Sequence, residues 1–115
     1  MANYLELPVY KASYDLLLQI FTLTHNLTRE YKYTLGEKLK NEITELLSNI
    51  YRANRTREKE RYLKIARENL ELVRLYIRIL KDLKQVSGKK HIFINLSIEK
   101  VSKQLAGWHK SVSKK

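Results

Sequence analysis

The stretch RYLKIARENLELVRLYIRILKDLKQV, Arg61 to Val86, is the longest segment of the chain with unbroken helical periodicity. Written as heptads, Leu63, Leu70 and Ile77 share one row, Ala66, Val73 and Leu80 a second, and Ile65, Leu72, Ile79 and Val86 a third. On a helix these rows, with Tyr76 and Leu83, merge into one apolar arc wider than a two-helix seam requires, so the helix is expected to touch more than one neighbour. The opposite arc carries Lys64, Arg67, Arg74, Arg78 and Lys81 at spacings of three and four, broken on its charged rows only by Glu71 and Gln85. One side reads as core and the other as a positive stripe. Leu75 is apolar within the charged arc; together with the wide apolar arc it points to burial against another subunit.

Working outward, Pro8 suits the first turn of a helix, where its missing N–H is not needed. Val9, Ser13, Leu16, Ile20, Leu23 and Leu27 then recur at spacings of three and four, widened by Leu17 and Phe21, which predicts a first helix over about 8–29. Glu30 to Tyr33 has no helical face and reads as a connection. Thr34-Leu35-Gly36-Glu37 reads as a capping box, the Thr34 hydroxyl accepting from the backbone three residues on and Glu37 reaching back. The second helix follows over about 35–54, with Leu39, Ile43, Leu46, Ile50 and Ala53 as its core row and Leu47 alongside. Thr56 is placed to cap a third helix over about 57–87. That helix is expected to stop at Ser87-Gly88, with Gly88 left-handed. Ile92, Ile94, Leu96 and Ile98 alternate as in a strand, but Ile94, Ile98, Val101, Leu105 and Trp108 form a longer helical row. A fourth helix is therefore predicted over about 90–110, followed by a mobile basic tail, 111–115.

Four amphipathic helices with short connections make the fold class all-α, an up-and-down antiparallel four-helix bundle in one domain, 1–110. One end collects Arg52, Arg55, Arg57, Lys59, Arg61, Lys110, Lys114 and Lys115, the other Arg29, Lys32, Lys84, Lys89 and Lys90. The 115 residues include 23 Lys and Arg against 12 Asp and Glu, a formal charge of +11. The excess is uneven, because residues 1–28 hold only Lys11 against Glu6 and Asp15, a net of −1, which leaves +12 for the remainder. A field of this sign attracts polyanions. Three glycines and one proline leave few breaks, and the lack of cysteine excludes disulfides and thiolate metal sites. With no signal-peptide pattern at Met1 to Leu7 and no apolar run near the length of a membrane span, a soluble cytoplasmic protein is expected.

Catalytic patterns are absent. The residues three before His25, His91 and His109 are Thr22, Gly88 and Ala106, so no Glu-x-x-His pair exists for a di-iron bundle. No two histidines share helical metal-ligand spacing, and there is neither a nucleophile elbow nor a glycine-rich phosphate loop. The expectation is a non-enzyme without cofactor or metal. Charge and periodicity instead nominate Arg52, Arg55, Arg57, Arg61, Lys64, Arg67, Arg74, Arg78, Lys81, Lys89 and Lys90 as nucleic-acid-binding residues, because the acids spaced to neutralise the stripe within its own helix are only Glu68, Glu71 and Asp82. On that reading Arg74 and Arg78 changed to Glu weaken RNA binding. A solvated basic face is the bland alternative. Tyr31, Tyr33, Tyr51 and Tyr62 either pack over the bundle ends or stack on exposed bases.

The order Leu7-Pro8, Tyr14-Asp15-Leu16, Tyr33-Thr34-Leu35-Gly36, Leu80-Lys81-Asp82-Leu83 and Leu105-Ala106-Gly107-Trp108 resembles the accessory variability determinant (Avd) proteins of diversity-generating retroelements over nearly the whole chain. Ala106 departs from the pattern, standing where a Gly is expected. The Leu-Pro start and bundle pattern are also similar to the four-helix proteins encoded within ribosomal RNA intervening sequences. The first resemblance implies a protomer assembled as a homopentameric barrel. It also implies partners, namely the element's reverse transcriptase and its template-repeat RNA, with cDNA as a further ligand, and a role in mutagenic cDNA synthesis and retrohoming. No binding residue is carried over from the family; the basic positions rest on charge and periodicity alone. The competing reading is a scaffold whose basic surface docks an acidic protein.

Overall fold

The computed structural model describes residues 3–113. A short 3-10 turn, Tyr4–Glu6, precedes five helices: α1 Pro8–His25, α2 Arg29–Lys32, α3 Leu35–Arg55, α4 Lys59–Asp82 and α5 Gly88–Ser113. The four long ones form the expected up-and-down bundle. They pack in a ring, α1 on α3, α3 on α4, α4 on α5 and α5 on α1, in a body of 45 × 22 × 21 Å. Leu16 and Ile20, then Leu39, Ile43, Leu46 and Ile50, then Leu63, Leu70, Ile77 and Leu80, then Ile94 and Ile98 supply the fully buried core. These are the rows read from the periodicity.

The boundaries depart from expectation where local hydrogen bonding overrides the apolar pattern. Pro8 opens α1 as expected, but the helix stops at His25 rather than Arg29. There the Asn26 side-chain amide donates to the Thr22 carbonyl (3.1 Å), and Leu27 turns inward to bury. Arg29–Lys32 then forms a single helical turn where a plain connection was expected. Thr34 precedes α3, but no capping box forms. Its hydroxyl donates backward to the Glu30 carbonyl (2.8 Å), and Glu37 pairs with Lys40 (2.6 Å). Gly36 sits in a close approach, since a Cβ there would lie 3.2 Å from the Tyr31 carbonyl oxygen and 3.3 Å from Leu27 Cδ1, and these neighbours would have to give by a few tenths of an ångström.

At the opposite end Thr56 does not cap α4. Its hydroxyl accepts from the Glu58 backbone N–H (3.2 Å) inside the turn, and α4 begins two residues later than expected, at Lys59. The Lys59 ammonium donates to the Ala53 carbonyl (2.8 Å) and so closes the C-terminus of α3.

Helix α4 ends at Asp82, well before Ser87-Gly88. The left-handed residue is Lys84, at φ 62°, and the Gln85 N–H returns to the Leu80 carbonyl (2.8 Å) as in a Schellman turn. Gly88 is not left-handed; it opens α5. Ser87 caps that helix, its hydroxyl accepting from the Lys90 N–H (3.1 Å). Helix α5 continues through Ser113, so 111–113 are not a tail: Val112 packs against the core and the Ser113 hydroxyl donates to Glu60 (3.3 Å). Lys114 and Lys115 lie outside the described residues.

Between α3 and α4 runs a polar layer that the periodicity did not signal. The Asn49 amide donates to the Asn69 side-chain carbonyl (2.9 Å), and the Asn69 amide donates to Glu42 (2.9 Å). Both asparagines are buried, so a slip of one turn would leave them unpaired, and the layer fixes the register of the two helices.

The third apolar row read from the sequence, which runs past the end of α4, is not core throughout. Val86 is buried, but Ile65 and Leu72 remain exposed, as do Leu75 and Leu83. Two neighbours cover only part of the wide arc. On α5 the strand-like alternation resolves in the same way: Ile94 and Ile98 face the core while Ile92, Phe93 and Leu96 lie 65%, 59% and 67% exposed on the outside.

Candidate nucleic-acid interface

The eleven basic residues nominated by the sequence fall into three places. Arg52, Arg55, Arg57, Arg61 and Lys64 gather around the α3–α4 turn, Arg67, Arg74 and Arg78 lie along the α4–α5 seam, and Lys81, Lys89 and Lys90 sit at the far end. The bundle separates the first group from the third by most of its 45 Å length, so they do not form one compact site.

At the turn the guanidiniums are exposed and held in place. Arg55 lies over the Tyr51 ring, 5.5 Å from its centroid, and Arg61 over the Tyr62 ring at 5.4 Å. Such contacts favour the charged head on the ring face and shorten its search for an anion. Arg61 also has Glu58 at 3.4 Å, and Arg52 donates to Asn49 (3.1 Å). Arg57 and Lys64 are exposed and form no ion pair among the described residues. An open cleft of ≈ 830 Å³ is lined by the turn from Arg55 to Arg61, with Val112 of α5 at its edge. Tyr62 and Tyr31 are packed on the core, while Tyr51 is exposed beneath Arg55. Tyr33 is the most open of the four, 64% exposed.

Along the seam the positive stripe is real but largely answered. Arg74 donates to Glu99 of α5 and has Glu71 at 3.4 Å. Arg78 pairs with Asp82 at 3.3 Å. Arg67 lies 2.9 Å from His109 Nδ1, whose Nε2 is 3.6 Å from Glu60. Glu99 is the acid that counting within one helix overlooks. These pairs are partly exposed and each is worth at most about 1 kcal/mol, yet they flatten the local field. Above Arg74 and Arg78, His91 and Asn95 complete a pocket of ≈ 350 Å³. Burial, then the Lys81 and Arg78 charges, hold the His91 imidazole below its ordinary pKa, with Asp82 opposing.

At the far end Lys81, Lys84, Lys89 and Lys90 are exposed without ion pairs among the described residues. Two lysines of α5, Lys100 and Lys103, share an outward face with Lys110 and were not nominated. The signal was there to read: Lys100, Lys103 and Lys110 recur at helical spacing with no acid between them on that face. Among the described residues no three His, Asp or Glu side chains cluster to hold a metal, and no helix is long and apolar enough to cross a membrane.

Comparison with known proteins agrees with this architecture. The family described as bAvd-like matches residues 9–112. No curated protein matches the chain. Among solved structures, a crystal structure of a protein of unknown function from the S23 ribosomal protein family of Bacteroides thetaiotaomicron superimposes with a TM-score of 0.81 at 19% identity, covering 89% of this chain and 98% of that one. At such low identity the likeness establishes the four-helix fold alone.

Proposed function

Since the chain belongs to the bAvd-like family, we propose that it is a non-catalytic accessory subunit of a diversity-generating retroelement. In this role it binds RNA or cDNA and the element's reverse transcriptase in the cytoplasm and supports mutagenic cDNA synthesis and retrohoming. The observation that carries the reading is the α3–α4 turn, where Arg55, Arg57 and Arg61 project from one connection with Glu58 and Glu60 as the nearby acids. Guanidiniums preset on tyrosine faces suit phosphate oxygens, which they bind without reading sequence. Lys64, Lys81, Lys89 and Lys90 extend the field, and Arg52, Arg67, Arg74 and Arg78 join it after exchanging their present partners.

The uncovered apolar faces support assembly. Tyr14, Leu18 and Phe21 on α1, Ile65, Leu72 and Leu75 on α4 with Leu83 just beyond it, and Ile92, Phe93 and Leu96 on α5 are exposed in the single chain. Apolar area of this extent suits contacts with further copies, as in a homopentameric barrel, and with the polymerase. The test is binding of a structured RNA hairpin across a salt series, with the mass of the complex followed by light scattering. Three to four phosphate contacts predict an affinity that falls roughly 40- to 150-fold between about 50 and 200 mM salt. A salt-independent or absent interaction refutes the nucleic-acid role.

A second reading has an observation of its own. Ile92, Phe93 and Leu96 beside Lys89 and Lys90 form an apolar patch with a basic rim, which also suits an acidic protein partner. Nuclease treatment that leaves such a complex intact favours this scaffold role.

A further inference from the structure

The outward face of α5 changes character halfway along. Ile92, Phe93 and Leu96 occupy its first half; Lys100, Lys103, Gly107 and Lys110 occupy its second, all exposed. The only acid in α5 is Glu99, and it is engaged with Arg74 across the seam. The three lysines therefore stand uncompensated on their own helix and form no ion pair among the described residues. A row of lysines alone is an ordinary solvated face.

Gly107 makes this row different. A glycine inside an exposed helix costs about 1 kcal/mol relative to alanine. Conformation does not demand it, since its φ is not positive, and packing does not either, since an added Cβ would meet nothing within 4 Å. What it leaves is bare backbone on the outward face between Lys103 and Lys110, a span of roughly 10 Å along the axis. A partner lying there approaches the helix more closely than any side chain would permit. The face also runs into the turn cluster, because Val112 borders the cleft lined by Arg55 to Arg61 and Ser113 reaches Glu60.

We propose that Lys100, Lys103 and Lys110, with Gly107 as the point of closest approach, form a second phosphate-binding rail that carries the backbone of a double-stranded nucleic acid away from the α3–α4 turn. A duplex is favoured over a single strand because this half of the face offers no open aromatic ring: Trp108 is packed on the core, and single-strand binders depend on base stacking. The inference rests on the reading that the turn binds nucleic acid.

The experiment compares a duplex RNA of about two turns with a single strand of equal length, on variants of the full chain. Lys100→Gln/Lys103→Gln/Lys110→Gln is expected to lose duplex affinity by about tenfold or more at low salt and to shallow the log–log salt slope by about 2 to 3, with single-strand affinity less affected. Gly107→Ala should melt at a higher temperature than the wild type. Gly107→Gln should fold with unchanged helicity and bind the duplex several-fold more weakly. If the lysine variant and Gly107→Gln bind the duplex like the wild type while Arg55→Gln/Arg57→Gln loses it, the rail is refuted and the turn alone is the site. If all of these retain full affinity, neither the turn nor the rail is the site and both assignments fail; a wild type that binds neither RNA refutes the nucleic-acid reading itself. A change in sedimenting mass on Gly107→Gln, in the absence of RNA, overturns the proposal by making the face a contact between copies.

Discussion

Arginines gather in two regions of this molecule, and their circumstances differ. At the α3–α4 turn Arg55 and Arg61 rest on tyrosine faces and point outward, while along the α4–α5 seam Arg74 and Arg78 are paired with Glu99, Glu71 and Asp82. The residue type is the same. What differs is the acids within reach: Arg55 and Arg57 form no ion pair among the described residues and Arg61 has only Glu58, whereas Arg74 meets Glu71 on its own helix and Glu99 on α5, and Arg78 meets Asp82. Positive charge in a sequence therefore becomes available charge where neither its own helix nor a packed neighbour places an acid beside it.

The largest effect should come from reversing charge in each region in turn. Arg55→Glu/Arg57→Glu is expected to reduce RNA affinity by about 100-fold or more at low salt, since two phosphate contacts become repulsions. Arg74→Glu/Arg78→Glu, which the sequence alone marks as the decisive pair, should cost much less binding, because those guanidiniums already have partners, though it sets new acids against Glu99 and Glu71. Equal losses in the two variants, measured by fluorescence anisotropy at one salt concentration, would break the contrast.

A second contrast lies across α4 and concerns stability. On its α3 side Asn69 links Asn49 to Glu42 in a buried layer, and on its α5 side the polar contacts are exposed ion pairs. Asn69→Ala leaves the Asn49 amide without its partner and should destabilise the fold by about 2 kcal/mol. Arg74→Ala should cost under about 1 kcal/mol. Urea denaturation of the two variants reads the difference directly; a costlier Arg74→Ala would mean that the seam is structural rather than electrostatic.

The order of the helices and their inward rows were legible because burial imposes a period on the sequence, as in Leu63, Leu70 and Ile77. What stayed hidden was what a single helix cannot report. Lys84 takes the left-handed position because Val86 is buried four residues after α4 ends, a tertiary demand that overrides the local signal of Gly88. Glu99 neutralises Arg74 from another helix, 25 residues on. Ile92 and Leu96 suggested a strand because α5 is apolar inside and outside at once, so two helical faces superimpose into an alternation. The turn cluster was visible as an arginine run, but its cation–π supports depend on side-chain direction.

The smallest effect probes the seam from within. His91 is held below its ordinary pKa by burial first and then by Lys81 and Arg78. The unfolded chain, whose imidazole titrates at the ordinary value of 6.5, thus binds a proton before the folded chain does. Above that value neither state is protonated and His91 contributes no pH dependence; as pH falls through it, protonation favours the unfolded state and stability declines. His91→Gln should remove that part of the decline, which thermal melts at about pH 7.5 and 5.5 will show as a smaller shift than the wild type gives. The same pair of proteins sharpens the contrast between turn and seam. A phosphate lodged beside Arg78 would favour protonated His91, so occupancy of the seam makes RNA binding tighten on acidification in the wild type more than in His91→Gln. Binding confined to the turn and its neighbouring faces leaves the two proteins with the same pH dependence.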